Sequence, residues 1–334
     1  MLTADKMLAR GQKSLDWAAG LVDEEQGFRG AGNIINGYYK SLVAFTTGGR
    51  MREARIMADF VDRVFLKDGD LNGRADDPTS NGFSNYRNAW AARGTHVLGR
   101  YDMSGALVDT VERNLHPEFG GLAAIPGLPE QQREYCWGST GSGILGLMAA
   151  GRWEAAARGG DFLIGMIEEQ PVTTGKLYLR RRADGTLITA DTREGLALTY
   201  SIDIGTPGQI YWYLGIAMNS FANLYLATED KKWIDAGYKV LEYFKNCADD
   251  IYEIISNGKV AWGLGAMYAA TKDRQFAKLT QDVWAWHYNI QSEDGCWLRV
   301  GQFDSFEEQP LHITLDTTLE RAFYMFELSR TLDV

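Results

Sequence analysis

The stretch YWYLGIAMNSFANLYL, residues 211–226, carries no charged side chain and mixes bulky aromatics with Gly215, Ala217, Ser220 and Ala222. A helix that is apolar or small on every side must be covered on more than one side. GSTGSGILGLMAAG at 138–151 and VAWGLGAMYAA at 260–270 have the same character. The segments alternating with them are of the opposite kind. Trp233, Ala236, Val240, Tyr243 and Cys247 step by three and four, as do Phe276, Leu279, Val283, Trp286 and Ile290, while lysines and acids fill the other faces.

Along the whole chain the hydrophobic period predicts twelve helices, near 4–22, 34–48, 52–67, 86–100, 104–115, 137–150, 152–169, 209–228, 231–247, 258–271, 274–291 and 314–331. An outer ring of amphipathic helices around an inner ring of buried ones satisfies both patterns. The expected fold is therefore all-α, a single (α/α)6 toroid of six helical hairpins spanning residues 1–334. Glycine turns at 26–28, 68–71, 119–122, 184–187, 257–258 and 294–297 punctuate the pairs at roughly 40–70 residues, a period suited to helical hairpins. Each glycine is read as supplying a positive φ. KLYLRRRADGTLITA at 176–190 departs from the pattern and reads as a short β-hairpin insertion, a surface flap beside the mouth of the ring.

Charge bounds the partners. With 34 Lys and Arg against 44 Asp and Glu, the net charge of −10 lacks the basic surplus that nucleic acid or an anionic membrane requires. No run approaches the roughly 18 apolar residues of a membrane span. Three separated cysteines suit reduced thiols, and the N-terminus has no uninterrupted apolar run of signal-peptide length, so the expected location is the cytoplasm.

The segment Gln291-Ser292-Glu293-Asp294-Gly295-Cys296-Trp297 resembles the QxxDGxW repeat of terpenoid cyclases and protein prenyltransferase β subunits, a superfamily of α/α toroids. The other turns keep the Gly and lose Gln or Trp. In that superfamily the motif is structural, with Gln capping a helix end and Trp stacking beneath it, so the resemblance implies fold. Protonation by a DxDD acid has only near misses, at Asp68-Gly69-Asp70 and Asp76-Asp77. Zinc held by a DxC pair and a distant His has Asp294 and Cys296, but His312 follows too soon, and no metal is expected.

All inner helices of such a toroid run the same way, so the loops before them gather at one mouth. Aromatics cluster there: Tyr38, Tyr39, Tyr86, Trp90, Tyr135, Trp137, Tyr211, Trp212, Tyr213 and Trp262. They form either an apolar pocket or simple core packing. The polar candidates are Arg87, Asn88, His96, Glu134, Gln209, His312, Asp316 and Glu320. Arg87 is a fork for a carboxylate or phosphate, or an inter-loop salt bridge, and Tyr86 is a proton donor or acceptor. His96 lies deep enough to be a hydrogen-bonded core residue. Glu134 and Asp316 are placed to face each other across the lumen as an acid and base pair, although Asp316 before Thr317 and Thr318 also reads as a helix N-cap.

Three functions fit. The first is a cofactor-independent cyclase, isomerase or lyase folding a mostly apolar terpenoid- or polyketide-like metabolite in an aromatic pocket, with ring closure of the cycloaddition type included. The alternative is a carbohydrate-active enzyme, since similar toroids include unsaturated glucuronyl hydrolases, polysaccharide lyases and sugar epimerases, with Glu134 and Asp316 as its carboxylates. The third is a non-catalytic protein-binding scaffold. For the enzyme readings the partner is a small molecule, no cofactor is expected, and the chain is a monomer or homodimer.

Overall fold

The computed structural model describes residues 2–71, 83–170, 175–189 and 197–331. Among them are twelve α-helices: α1 Ala4–Ala19, α2 Ser41–Thr47, α3 Met51–Val64, α4 Ser84–Val97, α5 Tyr101–Arg113, α6 Trp137–Ala149, α7 Trp153–Glu168, α8 Trp212–Thr228, α9 Lys231–Lys245, α10 Gly258–Thr271, α11 Arg274–Asn289 and α12 Leu311–Ser329. The even-numbered helices each pack on the next, and α12 packs back on α2, which closes an inner ring. Helices α3, α5, α7, α9 and α11 each lie against the inner helix before them, and α1 lies against α12. This is the (α/α)6 toroid.

The small residues explain how the inner ring closes. A Cβ on Gly215 of α8 would land on the backbone of Lys259, and one on Gly263 of α10 would land on the carbonyl of Gly215. Helix backbones touch at this seam, an approach that only glycine permits and that outweighs its cost of about 1 kcal/mol within a helix. Two of the outer helices start on aspartate caps. Asp230 accepts from Lys232 N at 3.0 Å to open α9, and Asp273 accepts from Gln275 N at 3.0 Å to open α11.

The Gln291–Trp297 turn is a structural clamp. Gln291 Nε2 donates to Ser14 Oγ at 2.9 Å, to Gly295 O at 3.0 Å and to Arg10 O at 3.2 Å, tying the end of α11 to α1. Trp297 is fully buried and donates from Nε1 to His287 O at 2.9 Å. Gly295, at φ 95°, lies against the backbone of Lys13, where a Cβ would sit 2.8 Å from its carbonyl oxygen.

Three local expectations are corrected. Gly258 has φ −50° and begins α10, so the 257–258 turn needs no positive φ, unlike Gly27, Gly69, Gly120, Gly185 and Gly295. The Asp184-Gly185 turn forms, and Arg181 bridges to Leu187, but the strands flanking 179 mostly pair elsewhere. Here β1 is Val22–Asp23 and β2 Gly27–Phe28, which pair with each other; β5 (Arg180–Arg182) pairs antiparallel with β3 (Glu134–Cys136), and β4 (Lys176–Tyr178) with β6 (Ser201–Asp203). Finally, α12 starts at Leu311 after Pro310, whose φ of −55° presets the first turn, so Asp316 lies inside the helix and caps nothing. No helix among the described residues is long and apolar enough to cross a membrane.

Candidate active site

The N-terminal ends of five inner helices bring their side chains to one mouth. Lys40 precedes α2, Tyr86 and Arg87 lie in the first turn of α4, Trp212 opens α8, Lys259 is the second residue of α10, and Asp316 and Glu320 stand one turn apart on α12. They surround two lobes of about 260 and 250 Å3 that share Lys40, Trp212, Lys259, Arg299 and Asp316 as walls.

Ion pairs organise the floor. Lys40 Nζ lies 2.8 Å from Asp316 Oδ1 and 2.7 Å from Glu320 Oε1, so one ammonium bridges both carboxylates. Lys259 Nζ adds a second contact to Glu320 Oε1 at 2.5 Å, and Arg299 pairs with Asp316 through Nη2. Tyr86 donates its hydroxyl to Glu320 Oε1 at 3.5 Å, and Arg87 Nε donates to Asn36 Oδ1 at 3.0 Å. The half-buried Trp212 ring meets Tyr86 edge-on at 5.7 Å and carries Lys259 Nζ 5.4 Å above its face.

Burial and charge separate the titrating groups. Burial would raise Glu320, but Lys259, Lys40 and Arg321 outweigh it and hold the carboxyl well below the usual carboxylate range. Burial would lower Lys40, yet Asp316 and Glu320 together keep its ammonium above the ordinary lysine value. Lys259 differs, because burial is opposed chiefly by Glu320 alone while Lys40 repels it; its ammonium falls to about 8. Burial, reinforced by the nearby carboxylates, keeps Tyr39 and Tyr86 as phenols.

Of the residues singled out by sequence, Tyr39, Tyr86, Arg87, Trp212, Asp316 and Glu320 meet here. Glu134 does not line either lobe: its carboxylate accepts from Arg180 Nη1 at 2.8 Å and from Tyr200 OH at 2.7 Å. The carboxylate partner of Asp316 is Glu320, on its own helix. Most of the aromatics are packing. Tyr38 sits among Phe28, Phe60 and Phe65, Trp90 against Trp262, Phe323 and Tyr324, and Trp137 donates to Tyr213 O at 2.8 Å. Tyr135 is stacked edge-on to His116 and Phe119. Tyr211 donates to Asp250 Oδ1 at 2.8 Å and Gln209 Oε1 accepts from Asp203 N at 2.9 Å, both bracing loops. Asn88 holds Leu71 N and Asp70, His96 meets Ser104 near the far end of α4, and His312 is half-buried one turn before Asp316. The 76–77 acids lie outside the described residues.

Lys40, Lys259, Arg299 and Arg321 were missed. The signal for Lys259 was available, as it is the only charged residue in the α10 segment GKVAWGLGAMYAAT. Among the described residues no group of three or more His, Cys, Asp or Glu is arranged to hold a metal ion.

No family model and no curated protein sequence matches the chain. Solved structures do. A D-mannose isomerase aligns over 98% of this chain and 97% of its own, with a TM-score of 0.67 at 10% identity. A family 76 α-mannanase from Bacteroides thetaiotaomicron aligns over 98% and 97%, at 0.65 and 12% identity. A sugar epimerase from a ruminal bacterium aligns over 98% and 100%, at 0.65 and 14% identity. These relatives of the fold are carbohydrate enzymes, and they correct the resemblance to terpenoid cyclases and with it the terpenoid or polyketide reading of secondary metabolism. The geometry agrees with the correction, since the aromatics expected to line an apolar lumen largely fill it, and the open mouth is walled by ions.

Proposed function

We propose that this protein is a carbohydrate-active enzyme that moves a proton on a sugar, as an isomerase or epimerase does, from the mouth built around Lys40, Lys259, Asp316 and Glu320. The observation carrying this reading is the Lys259–Glu320 contact inside the pair of carboxylates bridged by Lys40. A general base is most effective when its pKa lies near the working pH, and Lys259, at about 8, meets that condition. Its neutral amine takes the proton from the carbon beside a sugar carbonyl. The C–H electrons form the enediol double bond, the carbonyl π pair moves onto oxygen, and Tyr86 supplies a proton there. Lys259 then returns its proton to carbon while an enediol hydroxyl gives its proton back to Tyr86, which restores a carbonyl, gives the isomer and resets both groups. Glu320 stabilises the lysine while it is charged, and Trp212 offers a face for the ring.

Glycoside hydrolysis is less well supported. It needs one carboxyl protonated to serve as acid, with the second free to act on the sugar or on water. Glu320 is held ionised by its cations, and both carboxylates share Lys40.

The test is a panel of aldoses, ketoses, uronates and oligosaccharides followed by proton NMR. Interconversion of a free sugar is expected, lost in Lys259→Met and retained in Glu134→Gln. Release of reducing ends from oligosaccharides with no interconversion, unaffected by Lys259→Met, would refute the proton-transfer reading.

A further inference from the structure

We infer that the sugar is acidic, and that the lobe bounded by Arg299, Arg321 and Ser256 receives its carboxylate or phosphate; this rests on the carbohydrate reading above. The first observation is charge. Among the described residues lining this lobe, the cations Lys40, Lys259, Arg299 and Arg321 face only Asp316 and Glu320 as anions. Two positive charges are therefore left over while Lys259 keeps its proton, and one when it is neutral, in a recess of a chain whose net charge is −10. Uncompensated buried charge is costly, and an anionic ligand relieves it. The N-termini of inner helices converge on the same mouth, and their dipoles add to the positive potential.

The second observation is unused donors. Arg321 has a side chain only 3% exposed; its Nη1 donates to Thr317 O at 3.1 Å and its Nη2 to Ile255 O, while its Nε is buried with no partner. Ser256 Oγ, in the same wall, is likewise buried and unpartnered. A buried donor left without an acceptor is a position that a ligand oxygen can fill. Arg299 stands at the rim with its Nε on Thr317 Oγ1 at 2.7 Å. Neither Arg321 nor Ser256 lines the second lobe, where Tyr39, Tyr86 and Asn36 stand. The division places the acid in one lobe and the reacting carbons in the other.

Calorimetric titration of the full chain with D-glucuronate, D-glucose 6-phosphate, D-glucose and inorganic phosphate tests this. One acidic sugar is expected to bind at least about tenfold more tightly than glucose, with an advantage that shrinks as salt rises. Ser256→Ala is expected to reduce that advantage while leaving glucose binding unchanged, and Arg299→Gln, which also alters a wall of the second lobe, to reduce it more strongly. Preference for glucuronate identifies a carboxylate receptor, and preference for the phosphate ester a phosphate receptor. Equal binding of acidic and neutral sugars would overturn the inference and leave the carbohydrate reading standing. Inorganic phosphate binding as tightly as the sugar phosphate, with no sugar bound, would overturn both.

Discussion

Lys259 and Glu320 form a buried pair, Nζ to Oε1 at 2.5 Å, and the same carboxylate oxygen also holds Lys40 at 2.7 Å. One oxygen thus serves two ammonium groups with unequal support. Lys40 has Asp316 as a second anion and stays charged, whereas Lys259 depends on Glu320 and sits close to losing its proton at neutral pH. The asymmetry gives one lysine a structural role and the other a chemical one.

Glu320→Gln should be among the most damaging conservative changes in the molecule. It leaves Lys259, Lys40 and Arg321 with one fewer buried counterion, a loss of about 3–5 kcal/mol for a broken buried pair. Urea unfolding should show it, and adding Lys259→Met should recover part of the loss. A change under about 1 kcal/mol would indicate that the pair is hydrated like a surface bridge.

Stability should respond to pH through the same groups. Lys259 titrates near 8 when folded against 10.5 ordinarily, so between those values the unfolded chain binds more protons and stability rises with pH. Below about 8 both states carry the proton, and the contribution is flat. Comparing wild type with Lys259→Met between pH 7 and 9.5 isolates this slope, and parallel curves would place the lysine at its normal value. Glu320 acts at the other end. Its carboxyl is depressed when folded, so its stabilisation is present above about 4.5 and drains away as the pH falls.

The seam between α8 and α10 should not tolerate a methyl group. Gly263→Ala would push a Cβ into the carbonyl of Gly215, and backbone cannot step aside as a side chain does. We expect a loss of about 1–3 kcal/mol or more in urea unfolding, with weakened activity because Trp212 and Lys259 sit on the two helices concerned. Unchanged stability would mean that the helices separate more easily than their packing suggests.

Trp297→Ala should separate fold from chemistry. Truncating a fully buried tryptophan costs about 3–5 kcal/mol, yet this ring lines neither lobe of the mouth. Below its lowered melting temperature the variant should keep kcat/KM near the wild-type value, as measured on whichever sugar the enzyme converts.

The ring itself was legible because its signal is repeated: charge-free segments such as 211–226 and 260–270 alternate with amphipathic ones, and each pair restates the same constraint. The site was legible only in part. Tyr86, Arg87, Trp212 and Asp316 stood out by type and by position at helix starts. Glu134 was paired with Asp316 on position alone, and nothing local revealed that β5 would bring Arg180 to claim it. Lys259 was marked as the lone charge of its helix, whereas nothing local to Lys40 shows that the ring turns it inward onto Asp316 and Glu320. The aromatic signal misled for a related reason, since a tryptophan such as Trp90 that fills a lumen and one such as Trp212 that walls a cavity have the same spacing.

Solvent exchange reads the proton transfer by Lys259 itself. The enzyme is incubated in D2O with the sugar it binds, and the carbon beside the carbonyl is followed by NMR. Deuterium is expected at that carbon, at a rate that rises with pH toward about 8 and disappears in Lys259→Met. Sugar turnover without deuterium incorporation, or incorporation that survives the loss of Lys259, would contradict it.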